Sequence, residues 1–150
     1  MALVSSKIDF QSLPNPSDRY ELLEVIGEGT YGEVYVAVDR DSEHHETKVA
    51  VKVLENLAEN MDEAEEEYSV LRDLSLHPNL PWFYGLYFKP LPRLEDSQLW
   101  FVMELCSGGS VTDLAQGLKK FENRHLTELQ IAFILHETVD VSVAVAIFFF

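Results

Sequence analysis

Gly27-Glu-Gly29-Thr-Tyr-Gly32-Glu-Val34 is the stretch of this 150-residue sequence that decides its fold. Glycines spaced G-x-G-x-x-G let backbone amides approach phosphate oxygens, because glycine has no Cβ to hold them apart. Dinucleotide-binding domains share the pattern, but in them a helix begins at the third glycine. Here alternating apolar residues follow it up to Val38, and alternation predicts a strand. The stretch therefore predicts a glycine-rich hairpin between two strands.

Two further segments with the same alternation flank the hairpin. One runs from Tyr20 to Ile26, and the other is Val49-Ala-Val-Lys-Val53. Together with the strand after the hairpin they predict three strands. The short links between them favour an antiparallel meander.

The rest of the chain predicts helices and two more strands. Helical spacing runs from Ala64 to Leu74, with Asn60 or Asp62 as the predicted cap. The other predicted elements are strands near 83–88 and 99–105, a helix that begins at Ser110, and a helix that begins at the capping box Thr127-Glu-Leu-Gln130.

Lys52 lies inside the valine-rich third strand. Ala50 and Lys52 share a face of that strand, since alternate residues do. The small residue leaves room for the planar base of a nucleotide, and the neighbouring cation suits the phosphates of the same nucleotide. An edge-strand lysine that reaches solvent has the same local sequence. The position of Lys52, 20 residues after Gly32, favours the binding role.

Glu67 is the predicted partner of Lys52. The helix that carries it is rich in acidic residues, most of which are expected to form a solvated face. Glu67 differs because it lies three residues after Ala64 and four before Leu71, on the apolar stripe. A carboxylate that faces the core needs a cation nearby. Glu66 is the alternative partner, and the stripe favours Glu67.

An apolar strand meets a glycine-bearing connector in Leu99-Trp-Phe-Val-Met-Glu-Leu-Cys-Ser-Gly-Gly-Ser110. A capped helix follows the connector. A core strand that ends in a turn has the same pattern. In the present order of elements we interpret the segment as a strand that leads into a hinge.

The composition excludes several classes of partner. The net charge is −15, from 26 acidic and 11 basic side chains, whereas nucleic acids and anionic membranes bind clustered Lys and Arg. The single cysteine, Cys106, excludes an intrachain disulfide and a cysteine-based zinc site, and it fits a reducing compartment. An anion site in so acidic a chain must use backbone dipoles, a local cation and a metal.

In this order and at these spacings, the pieces resemble the N-terminal lobe of a eukaryotic Ser/Thr protein kinase, over about Tyr20 to Val139. The resemblance implies an α+β fold: an antiparallel five-stranded sheet with one regulatory helix, a hinge, and the first two helices of an incomplete C-lobe. It divides the chain into a leader at 1–19, a partial kinase domain at 20–139 and a divergent apolar tail at 140–150.

The resemblance also implies a site for ATP. The glycine-rich hairpin would cover the phosphates, and Lys52 would hold the α and β phosphates and pair with Glu67. Met103 resembles the gatekeeper, Glu104-Leu-Cys106 a hinge whose backbone meets adenine, and Asp113 a ribose contact. The implied nucleotide-binding residues, with Val34 and Ala50 flanking adenine, are Ile26, Gly27, Glu28, Gly29, Thr30, Tyr31, Gly32, Val34, Ala50, Lys52, Met103, Glu104, Cys106 and Asp113.

Among kinases, the segment 104–114 and the pair His77-Pro-Asn-Leu80 and Phe83-Tyr-Gly85 resemble the sterile-twenty group. Pro14-Asn-Pro-Ser-Asp18 and the acidic run that ends at Tyr68 are most similar to class III myosins, in which a kinase precedes an actin-based motor. The resemblance implies a protein substrate and a cytoplasmic, cytoskeleton-associated location. It also implies contact with actin through a motor domain that these residues do not include, and no membrane span.

Two kinase motifs do not occur in these 150 residues. Kinases orient the substrate hydroxyl with the Asp of a His-Arg-Asp loop, and they bind Mg²⁺ through that loop's Asn and an Asp-Phe-Gly turn. Here Arg124 precedes His125, in the reverse order, and no Asp is followed by Phe-Gly. The sequence therefore predicts no catalytic residue and no Mg²⁺ ligand, with Lys52 and Glu67 as a supporting ion pair.

Ten of the twelve residues from Val139 to Phe150 are apolar. The segment is shorter than the roughly 20 residues that span a bilayer, and its composition predicts an aggregation-prone strand. We interpret it as sequence from beyond a splice or gene-model boundary, or as an unusual isoform terminus. The last two helices are then expected to expose apolar faces. The alternative function is a non-catalytic isoform that acts as a nucleotide- or partner-binding decoy.

Overall fold

The computed structural model describes residues 5–29, 32–42 and 47–149, and it describes side chains up to residue 142. The chain divides into two compact units. The first comprises the residues up to Ser75 together with Pro81–Leu105, and the second comprises Leu76–Leu80 and the residues from Cys106 onward.

A five-stranded antiparallel sheet forms the first unit. Its strands are β1 (Tyr20–Glu28), β2 (Gly32–Asp39), β3 (Thr47–Leu54), β4 (Phe83–Lys89) and β5 (Gln98–Glu104). They lie in the order β1-β2-β3-β5-β4, so the predicted meander of the first three strands is confirmed. With helix α1 (Met61–Leu74), the sheet confirms the predicted α+β fold class.

The strands sort their residues onto two faces of the sheet. Val49, Val51 and Val53 of β3 belong to one buried cluster, which also contains Trp100 of β5. Leu54, Leu99 and Phe101 belong to a second cluster, together with Ala64 of α1. Because Ala50 and Lys52 alternate with the three valines, they lie on the face that meets α1.

Helix α1 begins without the cap that the sequence predicts. Asn60 occupies the N-cap position, but its side chain makes no cap hydrogen bond. Its Nδ2 instead donates to the Glu55 carbonyl at 3.1 Å, in a turn where Asn56 has a φ of 50°. Asp62 lies inside the first turn of the helix. The competing turn bond therefore replaces the predicted cap.

The segment predicted as a leader packs on the first unit. Residues 5–14, which we call the N-terminal strap, bury Ile8 in the cluster on the α1 face. The strap ends where the Pro14 carbonyl accepts a hydrogen bond from Phe88 N of β4 at 3.0 Å. After it, Arg19 makes a two-point ion pair with Asp39 at the end of β2.

The second unit consists of helices α2 (Val111–Glu122) and α3 (Glu128–Phe149), with the segment 76–80. Thr127 and Gln130 exchange the two hydrogen bonds of the predicted capping box, at 2.9 and 3.2 Å. Asn79 Nδ2 donates to the Glu137 carboxylate at 2.5 Å, which fastens the segment 76–80 to α3.

The prediction of a strand-like tail is wrong for the described residues, because α3 continues to Phe149. No proline or glycine interrupts the sequence from 128 onward, and β-branched residues cost a helix only a few tenths of a kcal/mol each. Once the capping box has nucleated the helix, each further residue adds a hydrogen bond. Leu129 and Phe133 are 81% and 65% exposed, so α3 presents the apolar surface that the sequence predicts. Within the described ranges, no helix has the length and apolar content that crossing a membrane requires.

Candidate functional site

The centre of the candidate site is an ion pair between β3 and α1. Lys52 Nζ lies 2.5 Å from Glu67 Oε2, and each side chain is 26% exposed. Glu66, the alternative partner, is exposed. The apolar stripe of α1 thus places Glu67 toward the sheet. Because the pair is partly buried, dissolved salt weakens its attraction less than it would weaken that of a pair at the surface.

The register of the sheet brings further predicted residues onto the same face. Val34 lies opposite Lys52 across β2 and β3, and Ala50 lies opposite Met103 across β3 and β5. Directly opposed residues of an antiparallel pair point to the same side of the sheet. Val34, Ala50, Lys52 and Met103 therefore share the face that carries the ion pair. This juxtaposition offers an apolar floor beside a cation.

Gly32 is required by the packing of β2 against β3. A Cβ built on it would lie 2.0 Å from the Val53 carbonyl oxygen, a distance that no side chain tolerates. Gly29 N donates to Gly32 O at 2.9 Å and closes the hairpin. The third glycine of the pattern is thus explained by the close approach of β2 to β3.

Gly27 and Gly29 are not required in this way. A Cβ on Gly27 would meet Val34 at 3.7 Å, and one on Gly29 would meet the Gly32 carbonyl at 3.5 Å, both ordinary contacts. Neither glycine has a positive φ. Packing and backbone conformation therefore leave these two glycines unexplained, whereas a ligand that approaches their backbone would require them.

The other predicted residues of the first unit lie around this face. Ile26 and Glu28 are exposed near the end of β1. Thr30 and Tyr31 lie outside the described residues. The Glu104 backbone N–H, predicted as part of the hinge that meets adenine, donates to the Trp82 carbonyl at 2.8 Å. Because this bond extends the pairing at the end of β5, that amide is already occupied.

Cys106 and Asp113 belong to the second unit. Cys106 carries an exposed free thiol. The Asp113 carboxylate accepts hydrogen bonds from Ser110 N at 2.8 Å and Ser110 Oγ at 2.7 Å, in the capping box that begins α2. These bonds lower the pKa of the Asp113 carboxyl. The residue predicted as a ribose contact is therefore used to cap a helix.

One cleft near the hairpin was not predicted from the sequence. It has a volume of about 360 Å³ and is lined by Glu28, Gly29, Gly32, Glu33, Val53, Glu55, Asn56 and Asn60. Three carboxylates make it unsuitable for a polyphosphate, and Lys52 does not line it. Lys52 lies elsewhere, on the α1 face of the sheet.

No group of three His, Cys, Asp or Glu side chains converges anywhere in the described ranges. Asp and Glu oxygens are the ligands that Mg²⁺ prefers. Among the described residues, the candidate site thus consists of the Lys52–Glu67 ion pair beside an apolar surface.

Comparison with known proteins gives consistent matches over most of the chain. Residues 20–143 match the protein kinase domain family, four residues past the predicted boundary at 139. Mouse myosin-IIIa is 45% identical over 139 residues, 93% of this chain. Mouse myosin-IIIb is 45% identical over 130 residues, 86% of this chain, and rat misshapen-like kinase 1 is 38% identical over 128 residues, 84% of it. The chain spans only 8%, 10% and 9% of these three relatives, respectively.

Proposed function

The chain belongs to the protein kinase family, and on that premise we propose that its first unit is the ATP-binding part of a Ser/Thr kinase of the class III myosin type. One observation carries the proposal. The Lys52–Glu67 ion pair lies on the sheet face that also presents Val34, Ala50 and Met103. A cation fixed beside an apolar surface suits a nucleotide, whose phosphates are charged and whose base is planar.

Glu67 fixes the position of the Lys52 ammonium. An unpaired lysine side chain samples many rotamers. It loses this conformational entropy when a ligand orders it, and the loss weakens binding. The carboxylate reduces that cost because it holds the ammonium 2.5 Å away before any ligand arrives. In a chain of net charge −15, a locally fixed cation also offsets the general repulsion of an anion.

The hairpin supplies the second part of the proposed phosphate site. Gly27 and Gly29 lack side chains at positions where the fold itself would accept one. A ligand phosphate can therefore approach the backbone at these two residues closely, because no Cβ lies in the way. ATP, when bound, supplies the phosphoryl group for transfer to a protein hydroxyl. The residues of this chain bind and orient it.

Transfer itself is proposed only for a kinase that includes the motifs these 150 residues lack. No His-Arg-Asp or Asp-Phe-Gly sequence occurs in them. We therefore propose that the 150 residues bind nucleotide without transferring phosphate. From the class III myosin relatives we propose a protein substrate and a cytoplasmic, cytoskeleton-associated location for the complete protein.

A decoy function is the second candidate. It is favoured by the exposed apolar side chains of α3, among them Leu129 and Phe133. Apolar surface of this kind marks protein-binding sites. In this alternative the chain competes for partners of a complete kinase, and Lys52 has no part in it.

Binding of a fluorescent ATP analogue by purified residues 1–150 tests the proposal. We expect Lys52→Met to weaken binding at least about tenfold, which corresponds to about 1.4 kcal/mol. Lys48→Met is the matched control, because Lys48 is an exposed lysine of the same strand and its loss changes the net charge equally. Equal affinities for the two variants would contradict the site. Phosphate transfer by wild type above the Lys52→Met level would contradict the non-catalytic assignment.

A further inference from the structure

The N-terminal strap covers the side of the first unit that carries α1. Ile8, only 5% exposed, belongs to the same buried cluster as Ala64 of α1 and Phe101 of β5. Phe10 packs edge-on against Phe88 of β4, with ring centroids 5.2 Å apart. The strap therefore touches both the helix and the sheet on which the helix rests.

A polar contact fixes the start of the strap to α1. Ser5 Oγ donates to Glu65 Oε1 at 2.6 Å, Ser6 N donates to the same oxygen at 2.7 Å, and Ser6 Oγ donates to Glu65 Oε2 at 3.0 Å. Ser5 Oγ in turn accepts hydrogen bonds from Lys7 N and Ile8 N, at 3.1 and 2.8 Å. The serine hydroxyl thus links the carboxylate of the helix to the turn that leads into the buried Ile8.

Helix α1 also packs on the sheet through apolar side chains, since Met61, Tyr68 and Leu71 lie against the buried cluster and the Tyr68 ring meets Phe83 of β4 edge-on at 6.3 Å between centroids. Ala64 and Ser69 are its only buried residues, and the Asn60 side chain makes no cap bond. Ser69 Oγ donates to the Glu65 carbonyl of its own helix, so it adds no contact to the sheet. The polar contacts that position α1 over the sheet, beside this apolar packing, are the Lys52–Glu67 pair and the bonds to the strap.

We propose that the N-terminal strap positions α1 for the Lys52–Glu67 ion pair, and that Glu65 is a positioning residue that acts on the nucleotide site through the helix. Glu65 precedes Glu67 by two residues, so the bonds from Ser5 and Ser6 constrain the same turn that carries the partner of Lys52. Any event that releases the strap loosens this turn. The effect on nucleotide affinity rests on the proposed function, whereas the effect on the helix does not.

Amide hydrogen exchange of the full 150-residue chain tests the mechanical part without nucleotide. We expect Glu65→Ala to raise the exchange rate of amides in 5–14 and in α1 at least about fivefold, because opening of both segments then becomes easier. Glu66→Ala is the matched control, since it removes an exposed carboxylate of the same helix. The double variant Ser5→Ala, Ser6→Ala tests the same contact from the strap side. Equal exchange in the Glu65 and Glu66 variants, or a loosened strap over an unchanged α1, would overturn the proposal.

A double-mutant cycle on the fluorescent ATP analogue tests the functional part. We expect Glu65→Ala to weaken binding at least about threefold when Lys52 is present, and to have no further effect when it is combined with Lys52→Met. An equal loss in both backgrounds would mean that the strap supports the fold in general, and would overturn the proposed positioning role. If wild type binds no nucleotide, the proposed function fails, and the exchange comparison still decides whether the strap positions α1.

Discussion

Glu65 and Glu67 lie on opposite sides of α1, where one carboxylate binds the N-terminal strap and the other binds Lys52. The separation follows from the helix, which turns by about 100° per residue, so that two residues differ by about 200°. A single helical turn is thereby held from both sides by hydrogen-bonded carboxylates. Changes at either residue are expected to affect the other contact.

Glu67→Gln is expected to weaken nucleotide binding about three- to tenfold, because Lys52 loses the charge that orients it. The cost to the free energy of unfolding should be small, about 1 kcal/mol or less, since both side chains are still partly in water. Urea unfolding and titration of the fluorescent nucleotide measure the two quantities. Glu66→Gln is the control, and identical affinities for the two variants would contradict the role of Glu67.

Gly32→Ala is expected to destabilise the first unit by about 1–3 kcal/mol or more, because the new Cβ meets the Val53 carbonyl and forces β2 away from β3. Gly27→Ala should leave the unfolding midpoint almost unchanged, since its Cβ meets only ordinary contacts, but it should weaken nucleotide binding. Thermal unfolding and nucleotide titration of both variants separate the two roles. The reverse pattern would contradict the assignment of the glycines.

Arg19 lowers the pKa of the Asp39 carboxyl through its two-point ion pair. A depressed pKa in the folded state means that the pair stabilises the fold above the unfolded pKa of about 3.9, and that this contribution is lost as the pH falls through the folded value. Asp39→Asn should cost about 1.5–3 kcal/mol at pH 7. The deficit should shrink below pH 4 in urea unfolding experiments.

Asp41→Asn is the control for that experiment, because Asp41 is an exposed aspartate two residues away. It should change the free energy of unfolding little at either pH. A deficit for Asp39→Asn that persists unchanged in acid would show that the loss comes from packing rather than from charge.

Ser110→Ala is expected to destabilise α2 by about 1 kcal/mol, the usual cost of losing an N-cap side chain. The Ser110 hydroxyl accepts from Asp113 N and donates to the Asp113 carboxylate, so both bonds disappear together. Hydrogen exchange in the first turn of α2 measures the effect. Ser107→Ala, in the exposed connector before the helix, is the control and should leave that exchange unchanged.

Much of this fold could be predicted because its signals are local. Alternation marks the strands, and the apolar stripe through Ala64 and Leu71 distinguishes Glu67 from Glu66. The capping box at Thr127 and Gln130 also follows from four consecutive residues. For the strands and for the stripe of α1, the period of the backbone determines which side chains face the core.

The strap could not be predicted in this way. Its contacts join residues far apart in sequence, since Ser5 and Glu65 are separated by 60 positions. Residues 5–14 carry no regular period, so Ile8 resembles any apolar residue of a loop. The sequence fails to predict the helical tail for another reason. The strand propensity of the tail residues is a weak preference. It is outweighed by the hydrogen bond that each residue adds to a helix already nucleated at Thr127.

The two tryptophans of the chain both lie in the first unit, so that unit alone contributes tryptophan fluorescence. Trp100 lies in the buried cluster of the sheet and is 2% exposed, whereas Trp82 is 51% exposed, and both belong to the first unit. The second unit contains no tryptophan. Intrinsic tryptophan fluorescence therefore follows unfolding of the sheet alone, with Trp100 as the probe of its interior and Trp82 as the site open to a soluble quencher. The second unit has no tryptophan of its own to report its unfolding, so loss of α2 and α3 is followed through the circular dichroism of the helices.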